Sequence, residues 1–222
     1  MRDNAPVDSF ADLAQTDAPH LDVLALSIAG ALREIDRGSA LSELDRLAGD
    51  VVRHGVGETP AEQLEALATV LGRHEGFAGD VEDYDHPDNS MLDLVLQRRR
   101  GLPILLSIVW IEVARRVGVP LRGVGLPGHF VAGYFGPDRP LLIDPFKGGA
   151  RVLDDASLNE PRPTTTHQTA LRLLSNLTAS YERRGDVGRM LIAARLRLDL
   201  PLGERDHRVM EFEYKRLSAR MN

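Results

Sequence analysis

The sequence predicts an α+β fold, in which a small antiparallel sheet separates two helical regions. Apolar residues recur at helical spacing from Leu21 to Leu71 and again from Leu171 onwards. After Pro120 the pattern changes to short segments with strand character, bounded by glycine and proline. Helices that precede and follow a compact sheet, rather than alternating with its strands, are typical of the α+β class.

Composition and charge exclude several kinds of protein. Hydrophobic residues make up 43% and charged residues 27% of the chain, as in globular proteins. The net charge of −6 argues against a nucleic-acid partner, because phosphate binding needs a broad basic surface. The run Arg98-Arg99-Arg100 is expected to be the solvated end of a helix, where cations suit the helix dipole.

Cellular location is predicted from signals that the sequence lacks. No apolar run approaches the about 20 residues that span a bilayer, and the first twenty residues do not resemble an export signal. The chain contains no cysteine, so it has neither disulfides nor thiolate chemistry. We therefore expect a cytoplasmic protein with no membrane partner; nothing in the sequence indicates an oligomeric state.

The N-terminal third is predicted to be helical after a loose start. Residues 1–20 are polar and contain Pro6 and Pro19, so we expect a flexible lead-in. Two or three amphipathic helices are expected next. Their apolar positions are Leu21, Leu24, Ile28, Leu32, Ile35, Leu41, Leu44, Leu47, Val51, Leu64, Leu67, Val70 and Leu71. An acidic loop follows, from Gly76 to Asn89.

Two helices are predicted around a Gly-Leu-Pro turn. Asn89 or Ser90 is expected to cap the helix MLDLVLQRRR, and Gly101 suits its C-terminal end. Pro103 then suits the first turn of PILLSIVWIEVARRVG. Because this second segment is apolar nearly all round until Glu112, it is predicted to be the buried central helix.

Strands are predicted between the central helix and the C-terminal helices. Three short strands are expected at LRGVGL, GHFVAGYF and PLLIDPF, and a further one at Arg151–Leu153. The sequence GPDR fits a type I turn with Pro137 at its second position. A linker is marked by Pro161 and Pro163. Helices are expected around Leu171–Tyr181, Met190–Leu196 and Val209–Leu217, with Gly185-Asp186 ending the first and capping the second.

The GPDR turn places His129 and Asp144 on one face of the sheet. If Phe135 faces Pro140 across the turn, Val131 faces Asp144 and His129 lies on the diagonal, about 7–8 Å away between backbones. A carboxylate there can fix the imidazole tautomer and leave the other nitrogen to act as a base. The same contact can instead be structural and satisfy two half-buried groups. A register slip of one residue would put the two side chains on opposite faces.

The chain resembles the transglutaminase-like superfamily, whose core is similar to that of papain-like cysteine enzymes. The segments that carry the resemblance are GFAGDVEDYDHPDNSML, VLQRRRGLPILLS, LPGHFV and IDPFKGG. They look closest to a bacterial subgroup, the SirB family. In that family a helical tail related to a tetratricopeptide repeat follows the core, and LSNLTASYERRGDVGRMLIAA looks like one degenerate repeat. The resemblance covers roughly residues 21–200.

The resemblance implies a role for three positions. His129 falls at the family's catalytic histidine, and Asp144 falls at the acid that orients it. The position of the family's cysteine, at the start of the central helix, falls on Pro103, which would then line the cleft without a nucleophile. This departure speaks against transglutaminase, peptidase and amidase activity by a thiol.

Ser107 is the candidate replacement nucleophile. It lies four residues after Pro103, on the same helix face and about 6 Å further along the axis. At that depth it would lack the terminal N–H groups that stabilise an oxyanion. The alternative is that Ser107 is a small packing residue whose hydroxyl binds back to the Pro103 carbonyl.

Other residues are expected to border the cleft. The resemblance places Tyr84, Asn89 and Ser90 beside it, and Phe135 shares a strand face with His129 and is expected to wall it. No metal or cofactor is expected, because the acidic loop lacks the spacing of a calcium site. Four other histidines show no zinc spacing; they are His54, His74, His167 and His207.

We expect a flexible lead-in at residues 1–20, a transglutaminase-like domain at 21–160 and a repeat-like helical tail at 161–222. The missing thiol favours a non-catalytic module, a pseudoenzyme that binds a protein or peptide through the cleft around His129 and Asp144.

Two other functions remain open. One is a peptidase- or amidase-like hydrolase that uses Ser107, His129 and Asp144, or the His129–Asp144 pair alone to activate water. The other is a structural scaffold in which this pair only holds the hairpin. The fold does not choose among these functions.

Overall fold

The computed structural model describes residues 9–137, 139–152 and 161–219. The elements in chain order are α1 (Phe10–Ala14), α2 (Leu21–Leu32), α3 (Arg37–His54), α4 (Pro60–Leu67), β1 (Ala78–Gly79), α5 (Leu92–Arg98), β2 (Arg100–Gly101), α6 (Pro103–Arg116), β3 (Leu121–Leu126), β4 (His129–Tyr134), β5 (Leu141–Asp144), β6 (Ala150–Val152), α7 (Thr166–Arg184), α8 (Val187–Leu196) and α9 (Glu204–Ser218). A π-helix at Ala68–His74 continues α4, and 3-10 helices lie at Pro87–Ser90, Pro145–Lys147 and Arg197–Asp199. The predicted α+β class is confirmed.

The chain divides into two compact units. One unit comprises residues 35–165, and the other comprises residues 1–34 together with 166–222. Helix α2, expected within the transglutaminase-like domain, packs against α7 and α8 and so belongs with the C-terminal helices. Helical periodicity identifies α2 but does not say which helices it will contact.

Part of the predicted lead-in is ordered structure. Helix α1 has a capping box, in which the Ser9 hydroxyl accepts from the Asp12 N–H and the Asp12 carboxylate accepts from the Ser9 N–H. Phe10 and Ala14 are buried, and α1 packs on α2. Residues 1–8 lie outside the described part of the chain.

Helix α6 is the buried central helix that the sequence predicts. Pro103 occupies its first turn, and every residue from there to Ala114 is buried. The helix packs against α3, α5, β3 and β4, all within residues 35–165. Although α6 is largely apolar, neither it nor any other helix of the described residues is long and apolar enough to cross a membrane.

The main sheet is antiparallel, with the order β3-β4-β5-β6. The register pairs Tyr134 with Leu141 and Gly133 with Leu142, which confirms the register predicted from the turn. The turn itself includes Asp138, and the fourth predicted strand includes Leu153; both residues lie outside the described part of the chain.

A second, two-stranded parallel sheet pairs β1 with β2, and the sequence analysis missed it. Each strand has only two residues, which is too short to leave a periodic pattern. Gly101, expected to end α5, lies in β2 against the Val95 side chain, where a Cβ would come within 2.7 Å. Helix α5 instead ends at Arg98, and its cap Arg99 adopts a left-handed conformation with φ of 58°.

The boundary between the first two C-terminal helices lies where the sequence predicts it. Gly185, with φ of 71°, ends α7, and the Asp186 carboxylate accepts from the Arg189 N–H to cap α8. Helix α9 begins at Glu204, five residues before the predicted start, because the polar first turn carries no apolar periodicity.

Candidate functional site

His129 and Asp144 form a hydrogen-bonded pair, as their diagonal placement predicts. His129 begins β4 and Asp144 ends β5, and Nε2 of the ring lies 3.0 Å from Oδ2 of the carboxylate. The His129 side chain is 29% exposed, whereas the Asp144 side chain is 4% exposed. The arrangement therefore presents an imidazole at the surface with a buried acid behind it.

Asp144 is held by the chain that follows it as well as by His129. Its Oδ1 accepts from the Phe146 N–H at 3.1 Å, so it caps the 3-10 helix at Pro145–Lys147. The ammonium group of Lys147 lies 3.7 Å from Oδ2. These donors compensate for the burial of the carboxylate.

Phe146 is the site residue that the sequence analysis missed. Its ring makes an edge contact with the His129 ring at 5.9 Å between centroids, and another with Tyr84 at 6.0 Å. Gly79 admits this ring, since a Cβ there would lie 2.3 Å from it. The motif Asp144-Pro145-Phe146 could have indicated this residue. An aspartate side chain often accepts a hydrogen bond from the backbone N–H two residues later, which keeps that residue close to it. We call His129, Asp144, Phe146 and Tyr84 the His129 surface.

Pro103 offers no group for nucleophilic chemistry. It is buried at the start of α6 and carries neither a reactive side chain nor a backbone N–H. The implied cysteine position is therefore occupied by a residue that serves helix initiation.

Ser107 is fully buried, and its hydroxyl donates to the Phe130 carbonyl at 3.5 Å. This long bond runs to the β4 backbone rather than to the Pro103 carbonyl, the partner expected for a packing serine. The hydroxyl thus links α6 to the strand that begins with His129.

Asn89 and Ser90 are not helix caps. They end the 3-10 helix at Pro87–Ser90, and Met91 stands at the cap of α5 without a side-chain hydrogen bond. Asn89 donates to the Asp83 carbonyl at 2.8 Å and accepts from Arg98 at 3.2 Å, so it secures the acidic loop. Both residues are buried, which directs their side chains to internal contacts.

Phe135, expected to wall the cleft beside His129, packs elsewhere on the sheet. It packs on the buried cluster of Val124, Val131 and Leu142. A Cβ on Gly133 would lie 2.9 Å from its ring, which shows that the ring covers that glycine. The aromatic ring against His129 is that of Phe146.

The arginine run lies at the end of α5 with Arg98 and Arg100 exposed, as predicted, but its side chains also bind other segments. Arg98 pairs with Asp80 at 2.9 Å, and Arg100 donates to the Gly76 carbonyl at 2.6 Å. The Arg99 guanidinium lies 4.6 Å from the centre of the Phe77 ring and pairs with Glu75 at 3.1 Å. Helical periodicity could not reveal these partners, because they come from loops outside α5.

Arg99 also joins a charged network on α3. Glu43 pairs with both Arg99 and Arg46, and Arg46 pairs with Glu75 at 2.9 Å. The hydrogen bond from Arg46, supported by Arg99, lowers the pKa of Glu43 to about 2. Arg46 likewise lowers the pKa of Glu75. The pKa of the Arg46 guanidinium is raised, chiefly by its hydrogen bond to Glu43.

A cavity of about 610 Å³ lies beside this network and not at the His129 surface. It is lined by α3 and α5, including Asp93, Gln97 and Arg99. Within the described residues, no group of three or more His, Asp or Glu side chains is arranged to hold a metal ion.

The His129–Asp144 pair has the geometry for orienting a proton acceptor. Since Asp144 binds Nε2, proton transfer to or from a bound molecule would run through Nδ1. Binding and acid–base chemistry are both open to such an imidazole.

Sequence comparison relates the chain to one superfamily. A family model described as "Transglutaminase-like superfamily" matches residues 38–191. No solved structure matches the chain significantly.

Curated relatives extend this relation to bacterial and mammalian proteins. The chain is 30% identical over 233 aligned positions to a UPF0162 protein of Pseudomonas aeruginosa, covering 96% of this chain and 84% of that protein. A Xylella fastidiosa UPF0162 protein is 36% identical over 137 residues, covering 54% of this chain and about half, 49%, of that relative's length. Mouse F-box only protein 21 is 39% identical over 74 residues, which are 33% of this chain and 12% of that protein.

Proposed function

The chain belongs to the transglutaminase-like superfamily, and from this premise we propose that it is a non-catalytic module that binds a protein or peptide through the His129 surface. One observation carries the proposal: the His129–Asp144 pair is intact, while Pro103 stands at the implied nucleophile position. A histidine and an acid without a nucleophile can recognise a ligand but cannot form an acyl-enzyme.

The surroundings of His129 suit recognition of a polypeptide. Tyr84 is 43% exposed, and its contact with Phe146 places aromatic surface beside a polar imidazole. Aromatic residues supply large contact area at low cost in side-chain entropy, and polar groups beside them provide orientation. The match of 74 residues to mouse F-box only protein 21, of which they are 12%, supports a segment that occurs within a longer protein.

The buried state of Ser107 supports the non-catalytic function. Its hydroxyl donates to the Phe130 carbonyl, and a serine needs a base at hydrogen-bond distance to become a nucleophile. Residue by residue, the chain thus retains the acid and base of the superfamily and lacks the atom that attacks.

Selection from a random peptide library displayed on phage would test the proposal. We expect selected peptides to bind the full chain in calorimetry and to lose at least about tenfold in affinity with His129→Ala or Phe146→Ala. Val52→Ala, which shortens an exposed apolar side chain of α3 outside the His129 surface, is the control and should bind like the wild type. Equal binding by all variants would contradict the proposal.

A hydrolase that uses the His129–Asp144 pair to activate water is the second candidate, favoured by the 3.0 Å contact that fixes the ring. Hydrolysis of peptide or amide substrates that His129→Ala abolishes would establish it. A serine mechanism predicts in addition that a reactive phosphonate labels the wild type and not Ser107→Ala; no labelling, beside a labelled control enzyme, counts against that mechanism.

We propose further that α7 and α8 serve as one degenerate tetratricopeptide-like repeat, as the SirB-family resemblance implies. The two helices pack together and are joined at Gly185-Asp186, which supports a helix–turn–helix unit. One repeat provides little binding area.

A further inference from the structure

Helix α9 carries a strongly basic face with two exposed apolar side chains. Phe212 is 72% exposed and Val209 is 53% exposed. At 100° per residue, the positions within about 60° of Phe212 include four cations and no acid. We define the basic stripe as Arg205, Arg208, Val209, Phe212, Lys215 and Arg216. This face stands out in a chain whose net charge is −6.

The ion pairs on α9 leave the stripe available to a partner. Arg208 lies 3.7 Å from Glu204, with side chains 72% and 93% exposed, and Lys215 lies 2.7 Å from Glu211. Exposed pairs of this kind contribute little to helix stability. A partner that presents carboxylates would therefore meet little competition from them.

A complementary segment exists on the same chain, in the other compact unit. Residues 81–85 of the acidic loop, with the sequence Val-Glu-Asp-Tyr-Asp, are all exposed. This stretch carries three carboxylates, and its apolar side chains are Val81, 76% exposed, and Tyr84, 43% exposed. The stretch thus complements the stripe in charge, since its acids can face the stripe's cations. It also matches the stripe in apolar surface, since each carries two exposed apolar side chains.

We propose that the acidic loop of one copy of the chain docks on the basic stripe of a second copy. Carboxylates of Glu82, Asp83 and Asp85 would pair with the stripe's cations, while Val81 and Tyr84 pack against Val209 and Phe212. Reciprocal docking about a two-fold axis closes a dimer, and one-way docking extends a chain of copies. Because Tyr84 contacts Phe146, a docked copy would also cover the His129 surface.

A protein partner fits the stripe better than an anionic membrane or a nucleic acid. Glu204, Glu211 and Glu213 lie at the stripe's sides, roughly 80–100° from Phe212, where they would repel lipid phosphates. Only two apolar side chains are available for insertion, fewer than a membrane-bound amphipathic helix presents. A short acidic segment can contact the cations without approaching these glutamates.

The association should be weak and sensitive to salt. A five-residue stretch that docks on one helix face buries less accessible surface than the about 1,200 Å² of a stable interface, even when two such contacts are counted. Its charges are exposed, so about 0.5 M salt, with a Debye length of about 4 Å, should screen them. We expect self-association at tens to hundreds of micromolar protein at about 0.05 M salt, and its loss at high salt.

Sedimentation equilibrium of the full chain with charge-reversed variants tests the proposal. The stripe variant is Arg205→Glu with Arg208→Glu, and the loop variant is Glu82→Lys with Asp85→Lys. Each variant alone should sediment as a monomer under conditions in which the wild type associates. An equimolar mixture restores these pairs: the reversed positions of each variant meet like charge in a second copy of the same variant, but opposite charge in the other variant. The mixture should therefore form a heterodimer.

Two further variants control for net charge and for the apolar contact. Asp17→Lys with Glu58→Lys changes the net charge as much as the loop variant does, at exposed sites outside the loop, and should associate like the wild type. Phe212→Ser should weaken association at least about fivefold without altering the charge.

Several results would overturn the proposal. They are a monomeric wild type at every concentration, association that both charge reversals leave unchanged, and a mixture of variants that stays monomeric. Binding of the wild type to vesicles of anionic lipid that Phe212→Ser abolishes, without self-association, would assign the stripe to membranes instead. None of these outcomes depends on peptide binding at the His129 surface, which the stripe variant should retain.

Discussion

At the residue scale, the two members of the His129–Asp144 pair lie in different environments. The histidine is partly exposed and the aspartate is buried, so each contributes differently to folding and to recognition. Asp144 also caps the 3-10 helix that presents Phe146, which makes it the structural member of the pair.

We expect Asp144→Ala to destabilise the chain by about 2–3 kcal/mol, because a buried acceptor of several hydrogen bonds is removed. His129→Ala should cost about 1 kcal/mol or less, since the ring is partly exposed and solvent and Lys147 can then approach the carboxylate. Urea unfolding of both variants measures the difference, with His20→Ala, at an exposed histidine that makes no capping hydrogen bond, as the control. A loss of several kcal/mol for His129→Ala would favour the scaffold function.

At the element scale, the arginines at the end of α5 connect segments that are distant in sequence. Arg98 secures the acidic loop, and Arg99 joins α3 and the segment after the π-helix through Glu43 and Glu75. The left-handed conformation of Arg99 ends α5 and starts β2, which pairs with β1. A charge run in the sequence shows the cations but not their partners.

This network predicts a stability that falls in acid. The folded-state pKa of Glu43, about 2, lies below its ordinary value of 4.5. Its contribution is therefore fully present above pH 4.5 and is lost as the pH falls through about 2. Glu43→Gln should lower the free energy of unfolding at neutral pH by about 1 kcal/mol.

Unfolding in urea from pH 7 to pH 2 measures this contribution. The difference between wild type and Glu43→Gln should narrow below pH 4.5, and Glu58→Gln, at an exposed site, should show no such narrowing. A difference that is constant over the whole range would contradict the assignment.

At the scale of the whole molecule, the His129 surface belongs to one continuous unit. Residues 35–165 contain α6, both sheets and all four members of that surface. The unit has its own buried core around α6, as an independently folding domain requires.

We expect a fragment of residues 35–165 to unfold in one cooperative transition in urea. Asp144→Ala should destabilise this fragment by the same about 2–3 kcal/mol as in the full chain. Circular dichroism follows both transitions. A fragment that binds a hydrophobic dye and melts without cooperativity would show that its core depends on the rest of the chain.

The sequence by itself determined the features that depend on neighbouring residues. The periodicity of α6, the four strands of the main sheet, and the Gly185-Asp186 stop and cap are local signals, and the structure confirms them. The diagonal contact of His129 with Asp144 also follows locally, because one short turn sets the register of a hairpin.

Only the tertiary structure decided which distant segments meet. It paired β1 with β2, gave Arg99 its carboxylates, placed Phe146 against His129 and Tyr84, and grouped α2 with α7 and α8. It also bound Asn89 to the acidic loop instead of to a helix end. The physical reason is that a periodic pattern shows which face of an element is buried, whereas its partner is chosen by packing over the whole chain.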